Sequence, residues 1–180
     1  MNVVLIGLRG TGKSTCGRLL AERLQWSFVD TDEEVEKGAG KTIKALFEAG
    51  GEPLFRKLES EAVRAAALRA RAVIATGGGA ILDNGNVEAL RANGFVVHFT
   101  ASPQELWRRV QDDASTAARR PALLTDAGLD GLQELQRLML ARSAAYSTAR
   151  HAEVTVEGRS PAEIVEALLL LLKAHGVCTS

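Results

Sequence analysis

The chain has 180 residues, 46% of them hydrophobic and 24% charged, with four prolines; this fits one globular domain with a sizeable core and excludes a disordered, collagen-like or disulfide-framed chain. Lys plus Arg and Asp plus Glu each number 22, so no net charge argues for general binding to nucleic acid or an anionic membrane, and any anion site must be local. The two cysteines, Cys16 and Cys178, have no metal-site or disulfide spacing; with an N-terminal apolar run too short for a signal peptide and the leucines at 168 to 172 far short of a membrane span, a cytoplasmic protein is expected.

Residues 2 to 6, NVVLI, read as a strand buried on both faces and ended by Gly7. A helix is expected from about 13 to 24, with Cys16, Leu19, Leu20 and Leu24 as its apolar stripe and Arg18, Glu22 and Arg23 outward. SFVD at 27 to 30 is a second strand. Helical patterning resumes through 32 to 37 and 42 to 49, each closed by glycine, and a long helix follows from about 53 to 69.

AVIAT at 72 to 76 is a third strand and runs into Gly77, Gly78 and Gly79. A helix around 87 to 92 precedes a fourth strand at 95 to 99, and 152 to 156 form a fifth. Ser102-Pro103-Gln104-Glu105 and Ser160-Pro161-Ala162-Glu163 each provide an N-cap serine, a proline at the first helical position and a glutamate at the third. Strands alternating with helices predict an α/β fold, with right-handed crossovers and a mainly parallel sheet covered on both faces. Residues 112 to 128 lack periodicity and carry Arg119, Arg120 and Pro121. This stretch is expected to be a mobile loop, either a lid or a solvated insertion.

The segment GLRGTGKST, residues 7 to 15, satisfies G-x-x-x-x-G-K-[ST] between an expected strand and an expected helix, where its chemistry requires it. Backbone N–H groups at Gly10, Thr11, Gly12 and Thr15 would cradle phosphates at a helix N-terminus, Lys13 would reach the outer phosphates, and Ser14 would ligate Mg²⁺. A nucleoside triphosphate is the ligand this predicts. The chain has no N-K-x-D guanine signature and is too small for most mechanochemical ATPases, which favours a small-molecule kinase.

An acceptor would sit at the carboxyl ends of the neighbouring strands. The second strand ends in Asp30-Thr31-Asp32; one acid can serve Mg²⁺ through water and the other can take a proton from an acceptor hydroxyl, unless either merely caps the next helix. The triple glycine would let a ligand lie on backbone N–H groups, or it is a plain turn. Arg56 and Glu59 share a helix face, so the glutamate can hold the guanidinium; on spacing alone a surface ion pair is the ordinary reading.

GLRGTGKST, DTD at 30 to 32, FRKLE at 55 to 59, TGGGAI at 76 to 81, RRPALL at 119 to 124 and ARSAAY at 141 to 146, in this order and spacing, resemble the shikimate kinase family over about residues 2 to 173. The resemblance implies a three-layer, nucleoside-monophosphate-kinase-like P-loop fold with a five-stranded parallel sheet in the order 2-3-1-4-5. It also implies transfer of the ATP γ-phosphoryl group to the 3-hydroxyl of shikimate, a step toward chorismate and the aromatic amino acids. One kinase domain is expected, with an acceptor-binding helical region at about 32 to 60 and a lid at about 112 to 124.

Residue roles follow from the same resemblance. Lys13 would contact the transferred phosphate, and Ser14 with Asp30 would hold Mg²⁺. Asp32 would bind shikimate hydroxyls and is the candidate base, although a loose transition state asks little of a base. Arg56 and Arg142 would clamp the carboxylate, with Glu59 orienting Arg56, and Gly78 and Gly79 would present backbone donors. Arg120 would close over the phosphates, with Arg119 as the alternative, and Arg109 and Arg159 lie where the family contacts adenine. Phe47 and Phe55 are either pocket walls or core, and His98 reads as structural. A monomer is implied. The alternatives are a related small-molecule kinase such as a gluconate kinase, or a regulatory nucleotide-binding module without turnover.

Overall fold

The computed structural model describes residues 1–112 and 130–178. Five parallel strands, β1 (Asn2–Ile6), β2 (Ser27–Asp30), β3 (Ala72–Ala75), β4 (Gly94–Thr100) and β5 (Ala152–Thr155), form one sheet in the order β2-β3-β1-β4-β5. The helices are α1 (Lys13–Leu24), α2 (Thr31–Ala39), α3 (Ile43–Ala67), α4 (Asn84–Ala92), α5 (Pro103–Asp112), α6 (Gly131–Ala149) and α7 (Pro161–Ala174). The expected lid, with Arg119 and Arg120, lies outside the described residues apart from Asp112.

Strand β1 sits at the centre, flanked by β3 and β4, and the period-2 alternation of a strand sends its side chains to two separate cores. Val3 and Leu5 join Leu20, Phe99, Ile164 and Leu168 beneath α1 and α7. Val4 and Ile6 join Val63, Ile74, Leu90 and Leu138 beneath α3, α4 and α6. Both faces are therefore covered, which is why β1 and β3 read as unbroken apolar runs. A third, smaller core of Val35, Ile43, Leu46 and Phe55 packs α2 against the first part of α3.

Several local expectations change in detail. The expected helical segments at 42 to 49 and 53 to 69 are two helices that meet within α3 at a kink at Gly51, whose φ of 67° and ψ of −169° leave the helical region. Leu19 is exposed, whereas Gly17 and Ala21 are buried, because the buried face of α1 follows positions 16, 17, 20, 21 and 24 and Leu19 lies off it. The capping box at Ser160 and Glu163 closes as expected. At Ser102 it does not: Glu105 turns to Arg108 and Arg109, and Glu157 takes over the Ser102 backbone N–H at 2.9 Å and hydroxyl at 2.7 Å. Two guanidinium groups within reach make a stronger partner for a carboxylate than one backbone amide.

Among the described residues no helix is long and apolar enough to cross a membrane. The leucines at 168 to 172 belong to α7, where Leu168 and Leu172 are buried and Leu170 is exposed.

Candidate active site

The phosphate loop leaves β1 at Gly7 and delivers the chain to α1. Gly10 and Gly12 both hold φ at 82°, a left-handed conformation that a side chain disfavours. Gly12 is also the α1 N-cap and lacks a side-chain cap, so the first N–H groups of the helix are left for another partner. A Cβ on Gly10 would lie 3.2 Å from both the Leu106 carbonyl oxygen and Val110 Cγ2, which ties the loop closely to α5. Lys13 is buried; its Nζ donates to the Leu8 carbonyl oxygen at 2.9 Å and to Thr11 Oγ1 at 3.3 Å. Thr15 is exposed beside it.

The end of β2 lies against this loop. Ser14 Oγ donates to Asp30 Oδ2 at 2.5 Å, while Asp30 Oδ1 accepts from the backbone N–H of Asp32 at 3.0 Å and of Glu33 at 3.4 Å. Asp30 therefore caps α2 and also faces Ser14, so its two sequence readings are compatible. The pair offers a hydroxyl and a carboxylate, the hard oxygen donors that suit Mg²⁺. Asp32 is buried one residue beyond Thr31, whose Oγ1 accepts from the Gly77 N–H at 3.1 Å.

That hydrogen bond joins β2 to the triple glycine after β3, and the glycines are small because charged groups press on them. A Cβ at Gly77 would meet Asp32 Oδ1 at 2.6 Å and Glu59 Oε1 at 2.7 Å. One at Gly79 would meet Arg56 Nη1 at 2.5 Å and Nη2 at 2.8 Å. A Cβ at Gly78 would lie 3.4 Å from the Gly7 carbonyl oxygen, in ordinary contact with the phosphate loop. The stretch is thus a junction between the phosphate loop and a cluster of acids and arginines, not a plain turn.

Arg56 is held from two sides. Its Nη1 donates to Glu59 Oε2 at 2.7 Å, and its Nε and Nη2 donate to Glu52 Oε1 at 3.0 and 2.9 Å. The surface-pair reading fails at Glu59, which is only 1% exposed. Burial pushes its carboxyl above the usual range, with the Arg56 charge opposing that rise and Asp32 adding to it. Arg142, on α6, donates from Nη1 to the Gly78 carbonyl oxygen at 3.0 Å. Asp32, Arg56, Glu59, Gly78, Gly79 and Arg142 therefore converge on one cleft beside the phosphate loop.

Other expected residues fall outside this cleft. Arg109 lies beneath the end of β5, its Nε donating to Glu105 at 2.6 Å and its Nη2 to the Val156 carbonyl oxygen at 3.1 Å. Arg159 is exposed on the loop before α7. The rings of Phe47 and Phe55 meet tilted by 33°, their centroids 5.0 Å apart, in the small third core. His98 is structural in form: its ring lies parallel to Tyr146 at 4.3 Å. Sequence reasoning missed Thr31, Glu52 and Tyr146. Only the last two left a signal, since Glu52 to Arg56 and Arg142 to Tyr146 are each four residues apart on a helix.

A phosphate loop opening onto a cleft that offers arginines for an anion and acids for hydroxyls defines a phosphate-loop kinase of a small molecule. The family model for shikimate kinase matches residues 9–173. A shikimate kinase from Symbiobacterium thermophilum is 44% identical over 176 residues, covering 98% of each chain. The structure of shikimate kinase from Acinetobacter baumannii in complex with shikimate matches with a TM-score of 0.89 at 32% identity, covering 98% of this chain and 95% of that one. A gluconokinase structure from Sinorhizobium meliloti matches with a TM-score of 0.60 at 19% identity, covering 97% and 92%, which is likeness of fold alone. The chain belongs to the shikimate kinase family and is an ATP-dependent kinase.

Proposed function

We propose that this chain transfers the terminal phosphoryl group of ATP to the 3-hydroxyl of shikimate, with the cleft around Gly77 to Gly79 as its acceptor site. The observation that carries this reading is the convergence of Asp32, Arg56 and Arg142 on the triple glycine next to the phosphate loop. Shikimate is an anion with several hydroxyls. Arg56 and Arg142 suit its carboxylate, because a guanidinium fork bonds both oxygens at once. Asp32 and the glycine N–H groups suit its hydroxyls.

Gly10, Thr11, Gly12 and Thr15 would cradle the ATP phosphates with their backbone N–H groups, and Lys13 would neutralise charge on the transferred group. Lys13 Nζ at present donates to Leu8 and Thr11, contacts that hold it at the loop and that phosphate oxygens would replace. Ser14 and Asp30 would hold Mg²⁺, which when bound offsets the negative charge of the phosphates. Asp32 would orient the attacking hydroxyl and accept its proton. Glu59 orients Arg56 and does not reach solvent. Arg109 and Arg159 would border the adenine, and Arg120 would close over the phosphates. The protein would act as a cytoplasmic monomer.

ADP release with ATP and Mg²⁺, measured with shikimate, with gluconate and without acceptor, tests the reading. Release that depends on shikimate supports it. Release with gluconate alone overturns the acceptor pocket while leaving the phosphate site intact. Mg²⁺ placement has a separate readout: Ser14→Ala should weaken the Mg²⁺ dependence of ATP binding measured by calorimetry.

A further inference from the structure

The Gly78 carbonyl oxygen accepts two hydrogen bonds from α6, one from Arg142 Nη1 at 3.0 Å and one from the Tyr146 hydroxyl at 2.7 Å. A carbonyl oxygen has two lone pairs, so these donors use its full capacity and fix the plane of the peptide as well as its position. Among the described residues no peptide bond is cis. In a trans peptide the N–H points opposite to the C=O, so the N–H of Gly79 is turned away from α6.

A peptide between two glycines is the one most in need of such a hold. Neither residue has a Cβ to bias φ and ψ, and rotation of the Gly78–Gly79 peptide would replace a donor with an acceptor on the cleft side. A side chain at Gly79 would collide with the Arg56 guanidinium, its Cβ 2.5 Å from Nη1, whereas one at Gly78 would fit in ordinary contact with the phosphate loop and Arg142; with glycine at both positions the loop supplies no stiffness of its own. Rigidity has to come from outside the loop.

Tyr146 is suited to supply it. It is 3% exposed, its ring is stacked on His98, and burial raises its phenol to about 12, so the hydroxyl remains a proton donor across the working range. Its ring also lines a half-open pocket of about 170 Å³ together with Leu8, Leu106 and Met139.

We propose that Tyr146 is a positioning residue for acceptor recognition: together with Arg142 it locks the Gly78–Gly79 peptide so that the Gly79 N–H is presented to an acceptor hydroxyl. Its hydroxyl does not itself touch the acceptor. This rests on the acceptor reading given above and adds to it a residue that acts through the backbone.

The test is Tyr146→Phe, which keeps the ring, its stacking and its volume and deletes only the donor. Shikimate binding is measured by calorimetry without nucleotide, alongside steady-state kinetics. Loss of one net hydrogen bond predicts that the Kd and KM for shikimate rise roughly three- to tenfold, with kcat and the KM for ATP unchanged. A folded variant with unchanged shikimate affinity overturns the inference, as does a fall in kcat with no change in KM. A second measurement needs no variant: in the ¹⁵N-labelled wild-type protein the Gly79 amide resonance should shift on adding shikimate, and a stationary resonance refutes the contact. Wild-type protein that neither binds nor phosphorylates shikimate overturns the acceptor reading as well, whereas an active wild type with an indistinguishable Tyr146→Phe overturns this inference alone.

Discussion

Glu59→Gln should separate acceptor affinity from fold stability. Glu59 is 1% exposed and lies 2.7 Å from Arg56 Nη1, while the Arg56 side chain remains 31% exposed. At an effective dielectric of about 20, opposite charges centred about 4 Å apart attract by about 4 kcal/mol. Against this stands the desolvation of the carboxylate, which is the larger effect, because the Glu59 carboxyl is raised in spite of Arg56. The pair therefore adds little to stability relative to a neutral side chain of the same shape. Glutamine removes both the attraction and the buried charge, and the remaining Arg56 charge is partly exposed and still paired with Glu52, so the unfolding free energy should fall by less than the roughly 3 to 5 kcal/mol expected when a buried partner is left unpaired. A carboxyl raised in the fold loses stabilising value as pH rises through its folded pKa, so any gain from glutamine should be largest above that pH.

Arg56 fares differently. It loses a charge-assisted hydrogen bond of about 1.5 to 3 kcal/mol and keeps the exposed Glu52 and the face of the Phe55 ring, 5.3 Å from its guanidinium carbon, which loosens its hold over Gly79. Roughly half of that loss appearing in the acceptor complex gives about a tenfold rise in the KM for shikimate. Coupled ADP release at saturating ATP, with shikimate varied, reads the KM, and thermal unfolding reads the stability. An unchanged KM in a folded variant would refute the orienting role. A KM rise matched by a collapse in melting temperature would refute the separation.

Gly79→Ala should give a comparable or larger KM rise, since its Cβ would fall 2.5 Å from Arg56 Nη1; normal shikimate kinetics would show that Arg56 does not serve from this position. Lys13→Met should abolish transfer while shikimate binding by calorimetry persists, and Arg142→Ala should chiefly raise the shikimate KM, so identical kinetic signatures from the two would contradict their separate roles. His98 offers a pH prediction. Burial, followed by Arg150 and Lys13, pushes its imidazole down to about 4 from 6.5; Glu153, 3.8 Å away, would favour the charged form but is itself paired with Arg150. The unfolded chain then binds more protons between those values, so stability is full above pH 6.5 and falls toward pH 4. Relative to His98→Phe, the wild type should lose up to about 3 kcal/mol across that window; parallel unfolding profiles would refute a buried neutral imidazole.

The sequence alone determined those features that depend on near neighbours in the chain. Strands β1 and β3 were legible because strands covered on both faces must be apolar throughout, and GLRGTGKST because a phosphate loop is built from consecutive backbone groups. The serine-proline helix starts were legible for the same reason, although the partner of Ser102 was not, since Glu157 reaches it from 55 residues away. Only the tertiary structure decided that Glu59 is buried and not a surface partner. Only the fold placed Tyr146 on the Gly78 carbonyl across 68 positions, or put the Asp32 and Glu59 carboxyls against the vacant side of Gly77. A glycine states that space is needed and leaves open what fills it. That depends on which helix the parallel sheet places above its carboxyl edge.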